Sequence, residues 1–141
     1  MSSDTTAKVF LSQLSACVQL DGNTKVNGKS ISRVWIQGIV VWLTSESEEC
    51  VVDDGSGLIL IDLRHFRSIK PSDNAYKISL GEYWMFIGPL RPLTSEQIRL
   101  KDVMRMENRI LAHQVINLNA MSQQRESLWF LEVIEYWRNI I

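Results

Sequence analysis

The sequence predicts an all-β barrel with a helix at each end. Residues 32–118 contain five short runs rich in β-branched and aromatic side chains, separated by turn residues. Gly38 lies inside the first and longest run, and an internal glycine is typical of a strand that bends, as the strands of a small barrel must. The final segment, 122–141, carries apolar side chains at helical spacing.

The N-terminal segment, residues 6–20, is predicted to be an amphipathic helix. Apolar side chains at Val9, Leu11, Leu14 and Val18 follow an approximately helical spacing. Residues 21–30 then combine asparagine, glycine and polar side chains, which is typical of a connector rich in turns.

Five strands are predicted next, and a long helix closes the chain. The strands are 32–43, 50–53, 57–63, a segment within 81–92 that ends at Gly88 and Pro89, and 109–118. Asp54 and Gly55 supply the turn of a hairpin between the second and third strands. Thr94 and Gln97 have the spacing of a helix-capping box, which predicts that a helix follows them inside a long loop that reaches about Asn108. The helix over 122–141 begins with Ser122 as its N-cap.

This order favours an OB-fold, a partly open five-stranded barrel, in one domain that covers residues 1–141. An SH3-like barrel is the alternative, and the long first strand and the C-terminal helix favour the OB-fold. The barrel itself is expected over about 32–118.

No pattern typical of an enzyme is present. His65 and His113 are expected to be isolated from the cysteines and from each other and lie outside any metal-binding spacing, so no catalytic residue, metal ligand or cofactor is predicted. Gly28 to Ser30 resembles the end of a phosphate-binding loop, but it lacks the upstream glycine and the strand-to-helix context. Asp53 to Gly57 is interpreted as a hairpin turn and not as a magnesium site.

The overall charge argues against strong binding to nucleic acid. The net charge is −1 and the isoelectric point is near 6.1, whereas proteins that grip phosphates are usually strongly basic. Acidic residues also cluster around the second and third strands, the usual binding platform of an OB-fold; they are Glu46, Glu48, Glu49, Asp53, Asp54 and Asp62. A single-strand-binding module of a replication or telomere complex is therefore kept as the alternative function.

Two further features concern location. Cys17 and Cys50 lack metal-binding spacing and are expected to be free thiols in a reducing compartment. The first residues do not resemble a secretory signal, and no apolar run is long enough to span a membrane, so no membrane association is expected.

The C-terminal helix carries the strongest functional signal. Its apolar side chains fill an arc of roughly 160°, wider than a helix needs in order to dock on its own domain. One flank is expected to cover the barrel and the other to bind a partner protein, because large exposed apolar patches usually mark interfaces. The predicted partner-binding residues are Trp129, Val133, Tyr136, Trp137 and Ile140.

The chain also resembles the RecQ-mediated genome instability protein 2 family. The similar segments are Glu126 to Trp129, Leu131 to Val133, Arg138 to Ile140, Val34 to Val40, Asp54 to Gly57, Gly81 to Tyr83 with Gly88, and Lys8-Val9 with Gln13-Leu14. The resemblance covers nearly the whole chain.

This resemblance implies a non-enzymatic OB-fold scaffold in the nucleus. Its partner would be the C-terminal OB domain of RecQ-mediated genome instability protein 1, which links it to a RecQ helicase and topoisomerase III, a type IA enzyme. The complex would dissolve double Holliday junctions without crossovers during homologous recombination and so maintain genome stability. The resemblance also implies that the C-terminal helix contributes to the heterodimer and that the pair binds DNA weakly.

Overall fold

The computed structural model describes residues 6–14, 18–20, 23–26, 28–44, 46–69, 76–97 and 108–138. Its elements, in chain order, are β1 (Thr6–Lys8), α1 (Leu11–Leu14), β2 (Val18–Leu20), β3 (Asn23–Val26), β4 (Lys29–Ile31), β5 (Arg33–Leu43), β6 (Glu49–Asp53), β7 (Leu58–Asp62), α2 (Arg64–Ile69), β8 (Tyr83–Gly88), β9 (Leu90–Pro92), β10 (Asn108–Leu111), β11 (Gln114–Asn117), a 3₁₀ turn (Asn119–Met121) and α3 (Ser122–Arg138).

The barrel closes because its last strand lies between the two ends of the sheet. Antiparallel pairs connect β8, β5, β6 and β7 in that order. β10 pairs in parallel with β7 and antiparallel with β9, and β11 pairs antiparallel with β8. The predicted fifth strand over 109–118 is therefore two short strands that separate at Ala112 and His113. This closure removes the sheet edges that would otherwise be exposed.

The interior of the barrel is filled by large apolar side chains. Each of β6, β7 and β8 is buried along most of its length, because one face lines the interior and the other is covered. The core includes Val34, Ile36, Val52, Ile61, Trp84, Phe86 and Ile110. Cys50 is part of this core, as predicted for a buried free thiol, and Cys17 lies outside the described residues.

The predicted helix over 6–20 is wrong in its extent. Thr6–Lys8 is a strand that runs parallel to the start of β5, and Val18–Leu20 is a strand that pairs with β3. Only Leu11–Leu14 is helical. The apolar spacing was a true sign of burial, since Val9, Leu11 and Leu14 are all core residues. The segments on either side of α1 are strands because they form backbone hydrogen bonds with β5 and β3.

The short helix α1 is fixed by the hairpin that follows β6. The Asp54 carboxylate accepts a hydrogen bond from the Leu11 backbone N–H at 2.8 Å, and the Ser56 hydroxyl accepts one from the Ser12 N–H at 3.0 Å. These contacts satisfy N–H groups that a helix N-terminus leaves without internal acceptors. The hairpin turn predicted from Asp54 and Gly55 is confirmed, and Gly55 has a φ of +89°.

Residues 21–30 are not simply a connector. Asn23–Val26 and Lys29–Ile31 form an antiparallel sheet with β2, and the turn between them contains Gly28 at a φ of +81°. The strands form because Thr24, Val26 and Ile31 are buried. Gly28 thus joins two strands, in a setting unlike that of a phosphate-binding loop.

Gly38 permits a close approach of two strands, and the irregularity of β5 lies elsewhere. The register with β6 shifts between Val40 and Trp42. A Cβ atom at Gly38 would lie 2.6 Å from both the Asp53 carbonyl oxygen and the Val52 Cγ1 atom.

Gly38→Ala is therefore expected to reduce the free energy of unfolding by about 1–3 kcal/mol, the usual cost of overpacking. Chemical denaturation of both variants would measure this loss. Gly57→Ala is the matched control, because its added methyl would have Leu11 Cβ as nearest neighbour at 3.4 Å, an ordinary contact. Equal stability of the two variants would contradict the close-approach account.

Candidate partner-binding interface

Helix α3 is held against β1 and β5 by three kinds of contact. The Trp137 indole N–H donates a hydrogen bond to the Lys8 carbonyl oxygen at 2.7 Å. The Lys8 ammonium lies 3.0 Å from Glu132 Oε1 and 4.7 Å from the centroid of the Trp35 ring. The Trp129 ring packs against Trp35 with centroids 5.7 Å apart. These contacts fix the orientation of α3 on the barrel and so determine which of its other side chains are exposed to solvent.

The structure separates the predicted partner-binding residues. Trp129, Val133 and Trp137 are buried in the barrel core, whereas Tyr136 is half-buried with its ring 5.2 Å from the Trp137 ring. Partial burial raises the pKa of the Tyr136 hydroxyl. Ile140 lies outside the described residues. Trp129, Val133 and Trp137 dock α3 onto its own barrel with Tyr136 beside them, and contact of the five predicted residues with a partner stays a prediction.

Exposed apolar side chains lie on the opposite side of α3. Leu128, Leu131 and Ile134 are 47%, 64% and 54% exposed. Their spacing of three residues places them along one side of the helix. We call these three residues the outer face of α3. Sequence analysis missed Leu128 and Leu131, although two leucines three residues apart among glutamates were a usable signal.

A shallow hollow borders the outer face. It is lined by Leu128 and Leu131 together with Lys8, Glu132, Glu135 and Tyr136. Lys8 and Glu132 already form an ion pair there. The outer face is therefore an apolar strip with a charged margin, which is the usual composition of a protein interface.

A buried polar cluster lies at the start of β6 and the end of β7, away from the hairpin turn that joins the two strands. Glu49 and Asp62 face each other across the two strands, and both are nearly inaccessible to solvent. Arg64 lies 3.2 Å from Glu49 Oε2, Arg109 Nε lies 3.1 Å from Asp62 Oδ2, and the Gln97 amide donates to Glu49 at 2.6 Å. Because the two carboxylates have cationic partners, the cluster is a network of ion pairs that links β6 and β7 to α2 and β10.

The Gln97 side chain also makes the capping contact with Thr94 that the sequence predicts. Its Oε1 atom accepts a hydrogen bond from the Thr94 backbone N–H at 3.0 Å, and the Gln97 N–H donates to the Thr94 carbonyl at 2.9 Å. The capping contact between these residues is confirmed. The helix predicted beyond them lies outside the described residues.

The titratable residues considered for catalysis have structural surroundings. Asp53 and Asp54 accept hydrogen bonds within the hairpin turn, from Gly55 and from Ser56 and Gly57, respectively. Burial raises the pKa of the Cys50 thiol to about 12, which keeps it protonated and unreactive. Among the residues that the structure describes, no three His, Cys, Asp or Glu side chains are grouped so that they could hold a metal ion.

The expected separation of the two histidines is wrong. The rings of His65 and His113 lie 5.7 Å apart, because the start of α2 meets the break between β10 and β11. Burial lowers the pKa of His113, and the positive charges of His65, Arg33 and Arg91 lower it further. The two histidines therefore lie among basic side chains, whereas the histidine of a catalytic triad is paired with a carboxylate.

Comparison with solved structures identifies the fold. A chain of the replication protein A heterotrimer bound to ssDNA superimposes with a TM-score of 0.69 at 14% identity, covering 96% of this chain and 98% of that one. The Stn1–Ten1 complex of S. pombe gives 0.69 at 16% identity, with 99% and 94% coverage. Yeast RPA bound to ssDNA gives 0.65 at 18% identity, with 96% and 91% coverage. The predicted OB-fold is confirmed.

Sequence comparison identifies the family. No curated protein sequence matches the chain. Among the described residues, no helix is long and apolar enough to span a membrane. The family model for RecQ-mediated genome instability protein 2 matches residues 5–137, which is most of the chain. The resemblance found in the sequence motifs is thereby confirmed, and the chain belongs to the RecQ-mediated genome instability protein 2 family.

Proposed function

We propose that this chain is a non-catalytic scaffold subunit that pairs with the C-terminal OB domain of RecQ-mediated genome instability protein 1. Through that partner it would join a RecQ helicase and topoisomerase III in the nucleus. The complex would support dissolution of double Holliday junctions and limit crossovers. Family membership supports this assembly, and one structural observation carries the mode of binding: α3 is fully anchored, yet leaves the apolar outer face exposed.

The outer face of α3 supplies the free energy of association in this proposal. Burying three large aliphatic side chains removes apolar area from water, at about 25 cal/mol per Å². Because Trp137, Lys8 and Trp129 already hold α3 in place, a partner would dock on a preformed surface and lose little conformational entropy. The acidic and basic side chains at the margin would then determine the orientation of the partner.

Co-expression with the C-terminal OB domain of the partner tests the proposal. We expect the two chains to copurify and to sediment as a 1:1 heterodimer. A RecQ helicase domain added without that partner is expected to remain separate from the chain. Direct capture of the helicase, with no capture of the OB domain, would contradict the proposed arrangement.

Weak binding to single-stranded DNA is a further expectation. Tyr83, Trp84 and Phe86 are buried, so these strand aromatics are not available to stack on bases. Two of the acids counted on the platform, Glu49 and Asp62, are also buried and paired with arginines, so they repel phosphate less than the sequence indicates.

We therefore expect a titration with labelled single-stranded DNA to give weak binding with a shallow dependence on salt, because few phosphates are neutralised. Submicromolar binding with a steep salt slope would instead favour the alternative, a single-strand-binding module of a replication or telomere complex.

Absence of catalysis by the hairpin aspartates is likewise testable. Asp54 accepts three hydrogen bonds within the turn and one from α1, so Asp54→Ala is expected to lower the thermal midpoint. Asp53→Ala is a milder control, since the Asp53 carboxylate accepts a hydrogen bond from the Gly55 N–H in the exposed part of the turn and holds no other element in place by it. Loss of a nucleic-acid hydrolase activity in either folded variant would contradict the scaffold assignment.

A further inference from the structure

A groove separates the N-terminal half of α3 from the face of β5. Ile39 and Val41 of β5 line one wall, Trp129 and Phe130 of α3 line the other, and Gln37 and Tyr83 form part of the base. The groove is open to solvent on one side and has a volume of about 180 Å³. Ile39, Val41 and Phe130 are each between 38% and 47% exposed, so the groove presents apolar surface to solvent.

Two hydrogen-bond donors at this groove have no acceptor in the part of the chain that the structure describes. Gln37 is fully buried, and its Oε1 accepts a bond from the Tyr83 hydroxyl at 3.2 Å, whereas its Nε2 is unpaired among the described residues. The Trp129 indole N–H is also buried and unpaired within the described part of the chain. A buried donor without an acceptor is costly and rare, and one explanation is an acceptor supplied by a ligand. The other indole of α3, on Trp137, has its acceptor.

The margin of the groove is acidic. Asp53, Asp54 and Glu126 contribute to its lining, and no lysine, arginine or histidine does so among the described residues. A negative margin attracts a cationic ligand and repels phosphate groups. The groove is therefore unsuited to nucleic acid and complementary to a basic, partly apolar segment.

We propose that this groove binds a short extended peptide segment of another protein, in which an apolar side chain lies next to a lysine or arginine. The apolar side chain occupies the space between Ile39 and Phe130. A backbone carbonyl accepts hydrogen bonds from Gln37 Nε2 and Trp129 Nε1. The basic side chain lies against Asp53 and Glu126.

Entry of the peptide requires a small rearrangement. Both donors are shielded from water, so their acceptor has to arrive as the groove side chains move. Phe130 is suited to this role because it is 40% exposed and rests against Phe10 with ring centroids 5.3 Å apart. The site lies on a different side of α3 from Leu128 and Leu131, so it goes beyond the heterodimer contact proposed above.

Nuclear magnetic resonance of the 141-residue chain tests the site. The probe is an acetylated and amidated heptapeptide, Gly-Lys-Leu-Lys-Val-Lys-Gly, and its counterpart has glutamate at each lysine. We expect the basic peptide to shift the Trp129 indole and Gln37 side-chain amide resonances saturably. The acidic peptide is expected to bind at least about tenfold more weakly, since it would meet the acidic margin.

Two pairs of variants make the test specific. Ile39→Ser, which removes the apolar contact without adding charge, and Glu126→Lys are expected to weaken binding of the basic peptide by about tenfold or more. Ile69→Ser, at the exposed end of α2, and Glu135→Lys, on the opposite side of α3 from Glu126, are expected to leave it unchanged. If Ile39→Ser fails to fold, the exposed Glu126→Lys and Glu135→Lys pair still decides the outcome.

Several results would overturn the proposal. They are an absence of shifts at Trp129 and Gln37, equal weakening by the control variants, a preference for the acidic peptide, and self-association of the chain that Ile39→Ser abolishes. The last result would assign the groove to a second copy of the chain.

Discussion

Replacing Trp129 by alanine is expected to lower the free energy of unfolding of the isolated chain by about 3–5 kcal/mol, the usual cost of removing a buried aromatic side chain. Trp129 is 2% exposed and packs against Trp35 in the core between α3 and the barrel. Because small domains are stable by only about 5–15 kcal/mol, this loss would bring the chain close to unfolding at physiological temperature. Urea denaturation followed by circular dichroism measures the change.

Leu128→Ala is the control on the same helix. Its side chain is 47% exposed, so truncation is expected to change stability by less than about 1 kcal/mol. Trp137→Ala provides a second test of docking, because it removes both a buried ring and the hydrogen bond to the Lys8 carbonyl oxygen. If Trp129→Ala and Leu128→Ala were equally stable, α3 would not be docked as described.

The second large effect concerns the outer face of α3. Leu131→Glu is expected to weaken binding to the partner OB domain at least about thirtyfold, equivalent to about 2 kcal/mol, while the thermal midpoint of the isolated chain stays nearly constant. Leu131 is 64% exposed, so a charge there remains hydrated in the free chain and is desolvated only in the complex. Isothermal titration calorimetry and a thermal scan on the same preparation measure the two quantities.

Ile69→Glu is the matched control for Leu131→Glu. Ile69 is 62% exposed at the end of α2, which lies outside the proposed interface. It is expected to leave both quantities unchanged. Retention of full affinity by Leu131→Glu would remove the outer face from the interface, and unfolding of that variant would show that Leu131 supports the core.

The barrel was predictable because its strands carry their own local signals. β5 to β8 combine β-branched and aromatic residues with clear turns, so composition and pattern agree with the final structure. The N-terminal region was not predictable in the same way. There, spacing at Val9, Leu11 and Leu14 correctly indicated burial, but strand pairing with β5 determined the backbone conformation at Thr6–Lys8. A single sequence carries little information about such non-local pairing.

The sequence predicts the helix that carries the candidate interface, but it does not predict which side of that helix is exposed. The apolar arc of α3 is wider than one contact requires, and periodicity alone cannot determine which part of it meets the barrel. That choice depends on Lys8 and Trp35, which are distant in sequence and provide the contacts for Trp137, Glu132 and Trp129. Partner-binding side chains were consequently sought among residues that dock the helix.

The surface charge of the barrel also depends on contacts between residues that are distant in sequence. The sequence indicates that Glu49 and Asp62 are surface acids that repel DNA, but both are buried and paired with Arg64 and Arg109. Arg109 and Asp62 come together only because β10 pairs in parallel with β7 to close the barrel. The ion pairs therefore depend on the closed topology, which no local motif encodes.

The most direct test of the central claim is methyl resonance spectroscopy of the chain, labelled at isoleucine and leucine methyl groups, during titration with the partner OB domain. Leu128, Leu131 and Ile134 form the proposed contact, whereas Ile69 and Leu80, each 62% exposed, lie outside it and serve as internal controls. The account predicts large shifts for the three α3 residues and unchanged resonances for Ile69 and Leu80. Shifts at Ile69 or Leu80 with unchanged α3 resonances would contradict it.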